Sequence, residues 1–224
     1  MRAKWLGLCY IKIKMRKELL ANGEIYHIFT RSIADFKIFN GKNDFERMRH
    51  LMKYYLIDNE LRFSDFMELK VVQEYVMNKA LDIISKDKDS LVQIIAYCLM
   101  PTHIHFIFKQ LTERGISNYM SNILNSYTRY FNIKHKRKGP LWESRFKSVL
   151  VKNDEQLIHL TRYIHLNPVT ALLVDKPENW SSSSYREYLF EADNSHPICQ
   201  FQDNLEIEPS SYRKFVKDRI SYQR

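Results

Sequence analysis

The order in which two hydrophobic periods alternate along the chain predicts an α+β fold, an antiparallel sheet covered by helices. Two strand-like runs, VQIIAYCLM at 92–100 and HIHFIFK at 103–109, are separated by Pro101-Thr102, which is a hairpin signal. A third β-rich run, IYHIFTRSI at 25–33, stands well ahead of them, and the stretches between carry apolar residues at steps of three and four.

Taken in order, Asn22-Gly23 turns the chain into the 25–33 strand. Asn43 with Glu46 reads as a capping box for a helix whose apolar side is Phe45, Met48, Leu51, Met52 and Tyr55. A second helix is expected over 64–85 on the spacing of Phe66, Leu69, Val72, Val76, Ala80 and Ile83. After the hairpin, Ile116, Tyr119, Met120, Ile123, Tyr127 and Tyr130 predict a helix ending near Asn132, before a basic run. Gly139-Pro140 then leads into a strand, LWESRFKSVLV, with Trp142, Phe146 and Leu150 on one face and Glu143, Arg145 and Lys147 on the other. Asn153 with Gln156 caps a last helix, expected to stop near Asn167 because Pro168 follows. Residues 1–14 read as an arm, 15–190 as the main domain, and 191–224 as a polar tail with short helices.

The 224 residues include 35 Lys+Arg against 26 Asp+Glu, a net charge of +9, with 45% hydrophobic residues and 5 Gly. That composition can bury a core and excludes a disordered or collagenous chain. No apolar run approaches the ~20 residues a bilayer requires, so an integral membrane protein is not expected. Cys9, Cys98 and Cys199 are too scattered for a disulfide framework, which points to a reducing, cytoplasmic compartment. The charge predicts attraction to a polyanion and by itself specifies nothing more.

The chemistry lies in two short patterns. His103 and His105 alternate with Ile104 along one strand, so both imidazoles share a face while Ile104, Phe106 and Phe108 point to the core. Two neutral imidazoles on a rigid strand can hold a divalent metal if a third ligand arrives from elsewhere. On the last helix Gln156, His159, Tyr163 and Asn167 follow one polar edge, and Tyr163 and Asn167, four apart, point at the same place. A phenol can act as nucleophile and a carboxamide oxygen as metal ligand. Paired strand histidines are more often ordinary hydrogen-bonded residues; His27 could lie near the metal from the first strand, and a satisfied sheet histidine is its plainer reading.

The segment MPTHIHFIF, the stretch YTRYFN followed by GPLWESRFKS, then RYIHLNPV and finally WSSSSYREYL occur in one order. Together they resemble the successive signatures of the REP-associated tyrosine transposases, which belong to the single-tyrosine HUH nucleases. The resemblance runs from about Met15 to about Leu189. It implies a ferredoxin-like fold of HUH-nuclease type that cuts single-stranded or hairpin DNA through a covalent 5′-phosphotyrosine, with Tyr163 as nucleophile. It also implies that Mg²⁺ or Mn²⁺ is held by His103, His105 and Asn167. The segment 34–90 is longer than the family's compact pattern, and the stretch after Leu189 matches nothing in it.

Candidate DNA contacts are Arg31, Lys134, Lys136, Arg137, Lys138, Arg145, Lys147 and Arg162. Trp142 could stack on a base, and Tyr127 and Tyr130 are rival nucleophiles, but all three read better as core or rim residues. A monomer or homodimer that associates with the nucleoid when bound is the expected form. The competing expectations are a catalytically inactive nucleic-acid-binding protein on the same scaffold and an enzyme directed at RNA.

Overall fold

The structure, a computed structural model, describes residues 20–59, 61–69, 72, 77–191 and 197–220. The expected arm at 1–14 and the position of Val76 lie outside these. Strand β1 (Ile25–Arg31) is followed by helices α1 (Lys42–Tyr54), α2 (Phe63–Met67) and α3 (Met77–Ser85). The hairpin β2 (Val92–Leu99) and β3 (His103–Gln110) leads to α4 (Gly115–Lys134), β4 (Lys147–Leu150) and α5 (Asp154–Thr170). Two shorter helices close the chain, α6 (Tyr185–Tyr188) and α7 (Pro209–Lys217).

The sheet order is β2-β3-β1-β4, and every pairing is antiparallel. With β2 and β3 consecutive and helices before and after them, this is the ferredoxin-like arrangement. Alternation sorts the two faces. Tyr26, Ile28, Ile104, Phe106 and Phe108 are buried toward α1 and α4, where the Phe108 and Tyr119 rings meet edge to face at 5.2 Å. His27, Phe29, His103 and His105 line the opposite face, on which α5 lies.

Strand β2 is buried on both faces, which explains its almost unbroken apolar run. Its outer edge is covered as well. Leu99 N–H donates to the Ser182 carbonyl, Ser184 N–H to the Tyr97 carbonyl and Gln200 N–H to the Ile94 carbonyl. The backbone of the serine run at 181–184 thereby protects an edge strand that would otherwise invite pairing with another chain. Ile198, Cys199, Phe201, Leu205, Tyr212 and Val216, in the stretch read as a tail, are buried in the same core.

Four local expectations are corrected. The helix expected over 64–85 breaks at Glu68, which caps α2, and Leu69 and Ile83 are exposed. The capping box of Asn43 and Glu46 does not form; Gly41 caps α1, and Asp44 Oδ2 accepts the Asn40 N–H instead. Helix α5 does not stop at Asn167 but runs through Pro168 to Thr170. A proline there forfeits one helical bond, and burial of Pro168 and Val169 in the last turn offsets the loss.

The fourth concerns the expected strand over 141–151, which survives only at 147–150. Between the Phe29–Lys147 pair and the isolated Ser32–Trp142 bridge, β1 advances three residues while the facing chain advances five. A bulge of this kind ends the alternation and re-aims side chains, and here it carries Ser144 and Arg145 out of the ladder.

Gly115 opens α4 where the chain passes under the β2 edge. A Cβ at this position would stand 2.1 Å from the Leu91 carbonyl oxygen, which is backbone and cannot rotate away. Gly115→Ala is expected to lower stability by about 1–3 kcal/mol, seen as a fall in the urea midpoint. An unchanged midpoint would show that α4 shifts freely.

Candidate active site

The β1–β3 register sets Arg31 opposite His103 and Phe29 opposite His105, while the β1–β4 register sets Lys147 opposite Phe29. Directly paired residues of an antiparallel ladder share a face. Two rows therefore form, Arg31 with His103, and Lys147 with Phe29 and His105.

Helix α5 brings the remaining groups over these rows. Its start is held by Asn153, whose side chain accepts the Gln156 N–H at 2.8 Å, while Gln156 Oε1 accepts the Lys152 N–H. Leu157, Thr161 and Ile164 bury the inner stripe, leaving Tyr163 and Asn167 on the edge that faces the histidines. The Tyr163 ring stands perpendicular to His105 at 5.9 Å and to His27 at 6.2 Å between centroids. It is 47% exposed, so its hydroxyl is open to a substrate. His103, His105, Tyr163 and Asn167 line one cavity of about 480 Å³ together with Arg31, Glu143, Arg145 and Lys147.

Hydrogen bonding selects one nitrogen on each strand histidine. His103 Nδ1 pairs with Thr102 Oγ1 at 3.0 Å, and His105 Nδ1 pairs with His27 Nε2 at 3.0 Å. Both Nε2 atoms are left without a partner among the described residues. Partners on Nδ1 of this kind orient metal-binding imidazoles and set their tautomer. Burial lowers the pKa of His105 to about 3, with the neighbouring His27, His103 and Arg31 adding to the effect. Burial also lowers His27 to about 4, and lowers His103, to which Arg31 contributes in the same sense. The imidazoles are therefore neutral near pH 7 and keep their lone pairs. His27, whose plainer reading from sequence is a sheet histidine and whose alternative is a place near the metal, is thus part of the site; a single strand does not show which neighbour it will meet across the ladder.

Asn167 Nδ2 is buried without a hydrogen-bond partner. Half a turn of the carboxamide exchanges this atom for Oδ1, an oxygen suited to a hard cation. Two neutral imidazole nitrogens and one carboxamide oxygen fit a divalent cation, with positions left for oxygens of a substrate.

The eight basic residues expected to contact DNA divide. Arg31, Arg145 and Lys147 line the cavity. Among the described residues, Arg31 is held only by an exposed pair with Asp35 at 3.7 Å, a weak interaction readily exchanged for a phosphate. Lys136, Arg137 and Lys138 follow α4 away from the cavity, where Arg137 bonds Asn132 and the Pro140 carbonyl within its own turn. Arg162 points to the far side of α5, stacked 4.0 Å from the Phe215 ring centre and bonded to His159.

Lys134 is turned to a structural task. It donates to Asp44 Oδ1 at 2.5 Å, and Asp44 is fully buried, also accepting from the Tyr130 hydroxyl and the Asn40 N–H. Burial raises the Asp44 pKa, and these donors overcome that effect and pull it below the ordinary carboxylate value. Lys134→Ala leaves a buried carboxylate short of its cation. We expect a loss of about 2 kcal/mol, near 4–8 °C in Tm for a chain of this size. A melting curve unchanged from the parent would remove Lys134 from the stabilising set. Tyr127 is buried, donating to the Ile38 carbonyl at 2.6 Å, and is not available as a nucleophile.

Sheet order and site together define an α+β protein of ferredoxin-like topology in which a strand histidine pair faces a helix-borne tyrosine. Residues 22–167 match the family model described as IS200-like transposase, and the chain belongs to that family. A REP-associated tyrosine transposase of Haemophilus influenzae is 30% identical over 105 residues, a match that spans 42% of this chain and 58% of the relative. The solved structure of a REP-associated tyrosine transposase bound to a REP hairpin superposes with a TM-score of 0.50 at 17% identity, covering 88% of this chain and 95% of that one. That likeness bears on the fold, in agreement with the resemblance seen in the motifs.

Proposed function

We propose that this protein is a metal-dependent single-stranded DNA endonuclease and strand-transferase that acts on hairpin-containing DNA through Tyr163. The observation that carries the reading is the Tyr163 ring set perpendicular to His105 at 5.9 Å, in a cavity that also holds His103, Asn167 and three cationic side chains. Membership of a transposase family and the hairpin held by the structural neighbour support the substrate class.

Arg31, Arg145 and Lys147 hold the scissile phosphate and offset the charge that gathers on it in the transition state. The Tyr163 oxygen attacks phosphorus, the new O–P bond forms as the P–O3′ bond breaks, and the phenolic proton ends on the departing 3′-oxygen. His103, His105 and Asn167 are the residues that would hold Mg²⁺ or Mn²⁺, which supplies Lewis-acid polarisation of a nonbridging phosphate oxygen. His27 keeps the His105 ring and its tautomer in place through their shared hydrogen bond. Attack by the 3′-hydroxyl of a second strand on the 5′-phosphotyrosine reverses the step and joins new ends, with Tyr163 regaining its proton. The phosphodiester energy is conserved throughout, so no nucleotide triphosphate is required.

The test is a hairpin oligonucleotide with unpaired flanks, labelled at either end and incubated with the protein and Mn²⁺. The 3′-labelled piece should remain on the protein in denaturing gels and the 5′-labelled piece should be released, both suppressed by EDTA. Binding without an adduct would favour the inactive nucleic-acid-binding protein. An adduct retaining the 5′ label would overturn the proposed polarity.

A further inference from the structure

The cavity around Tyr163 is the first of three that adjoin. A second, of about 560 Å³, shares Ser144 and Arg145 with it and continues past Trp142 to Asn118 and Asn125 of α4. A third, of about 460 Å³, shares Asn125 with the second and ends among Arg47, Arg62 and Arg129. Among the described residues, no aspartate or glutamate lines the second or the third.

The side chains along this path differ from an ordinary helix surface. Solvent-facing helices usually mix both charges in pairs three or four apart. On α4 the outward positions are instead Asn118, Ser121, Asn122 and Asn125, followed by Arg129. Amides and hydroxyls both donate and accept, as the edges of unpaired bases require. At the junction with the catalytic cavity, Trp142 is fixed by its Nε1–H bond to the Leu124 carbonyl at 3.3 Å, offering an aromatic surface in a set orientation. At the far end Arg62 and Arg129 are exposed and have no acidic partner among the described residues. Arg47 beside them stacks on Phe63 at 4.4 Å, and its Nε is buried without a hydrogen bond. Fork-shaped guanidinium groups left unpaired in this way match phosphate.

We propose that this path binds the single strand continuing from the scissile phosphate, its bases over Trp142 and the asparagines of α4 and its phosphates on Arg62 and Arg129. The inference rests on DNA cleavage at Tyr163. From Asn118 to Arg129 is eleven helical steps, or about 16 Å, the length of a few nucleotides of an extended single strand. Arg62 belongs to the segment 34–90, longer here than the family pattern, so that segment supplies one wall of the path.

Binding is measured by fluorescence anisotropy with Tyr163→Phe protein, using hairpins with two or eight unpaired nucleotides on each side of the scissile position in turn. On one side, eight should bind about tenfold more tightly than two. The added substitutions Arg62→Ser and Arg129→Ser should abolish that gain and reduce the salt slope by about 1.4, or ~0.7 for each phosphate no longer neutralised. Lys88→Ser, which removes a cation beside a different cavity, should keep the gain. The path is overturned by the absence of any length dependence, by a gain that survives the double substitution, or by an equal loss in Lys88→Ser. Adduct formation by the protein with Tyr163 intact is scored separately. Adduct without length dependence rejects the path alone, and no adduct rejects the cleavage reading.

Discussion

Tyr163→Phe is expected to abolish the covalent protein–DNA adduct and lower strand cleavage by at least about 10⁴-fold, more than 5 kcal/mol in the barrier. The substitution removes one oxygen and keeps the ring that stands against His105 and His27. Affinity for the hairpin should therefore change little, which separates loss of chemistry from loss of binding. Tyr130→Phe is the matched control, since its hydroxyl is committed to Asp44. That variant should lose some stability and still form the adduct. Denaturing gels and mass spectrometry of the tryptic phosphopeptide read both outcomes. A full yield of adduct from Tyr163→Phe would place the nucleophile elsewhere.

His165→Ala should be the most damaging change away from the cavity, at about 3–5 kcal/mol or roughly 6–20 °C in Tm. The ring is fully buried, with Nδ1 bonded to the Tyr212 hydroxyl at 2.7 Å and Nε2 to Ser184 Oγ at 2.8 Å. Tyr212 also donates to Thr161, and the Ser184 hydroxyl accepts the Tyr97 N–H. One imidazole thus ties α5 to α7 and to the edge of β2. Removing it opens a cavity and strips a partner from two buried hydroxyls together. Because α5 carries Tyr163 and Asn167, the loss should also appear as reduced cleavage at temperatures where the parent is still active.

The same residue sets a dependence on pH. Burial lowers the His165 pKa to about 3 from an unfolded value near ~6.5. Between these values the unfolded chain binds the extra proton, so the contribution is fully present above pH 6.5 and declines as the pH falls toward 3. At pH 5 the decline is about 2 kcal/mol for this one group. Chemical denaturation at pH 7 and pH 5 should show a smaller difference for His165→Leu than for the parent. An equal difference in both would show that other groups govern acid stability.

Local periods made much of this protein legible. The alternation His103-Ile104-His105 and the four-residue step from Tyr163 to Asn167 each follow from the geometry of a single element, and both are found as expected. The hairpin at Pro101-Thr102 and the apolar stripe of α4 are equally local. Two readings failed through neighbours distant in sequence. Lys134 looked like one cation in a basic run until Asp44, ninety residues earlier, claimed it. The serine run at 181–184 gives no local sign of its role, because its partner is the backbone edge of β2.

The sequence by itself determined which side chains could perform the chemistry, because strand and helix periods place residues on faces without reference to the rest of the chain. It also determined the excess of positive charge that draws a polyanion. Only the tertiary structure decided which of those charges are free, that His27 bonds His105, and that a bulge before β4 brings Arg145 to the site. These are matters of cross-strand register, burial and competition for partners, and they exist only after distant segments have packed.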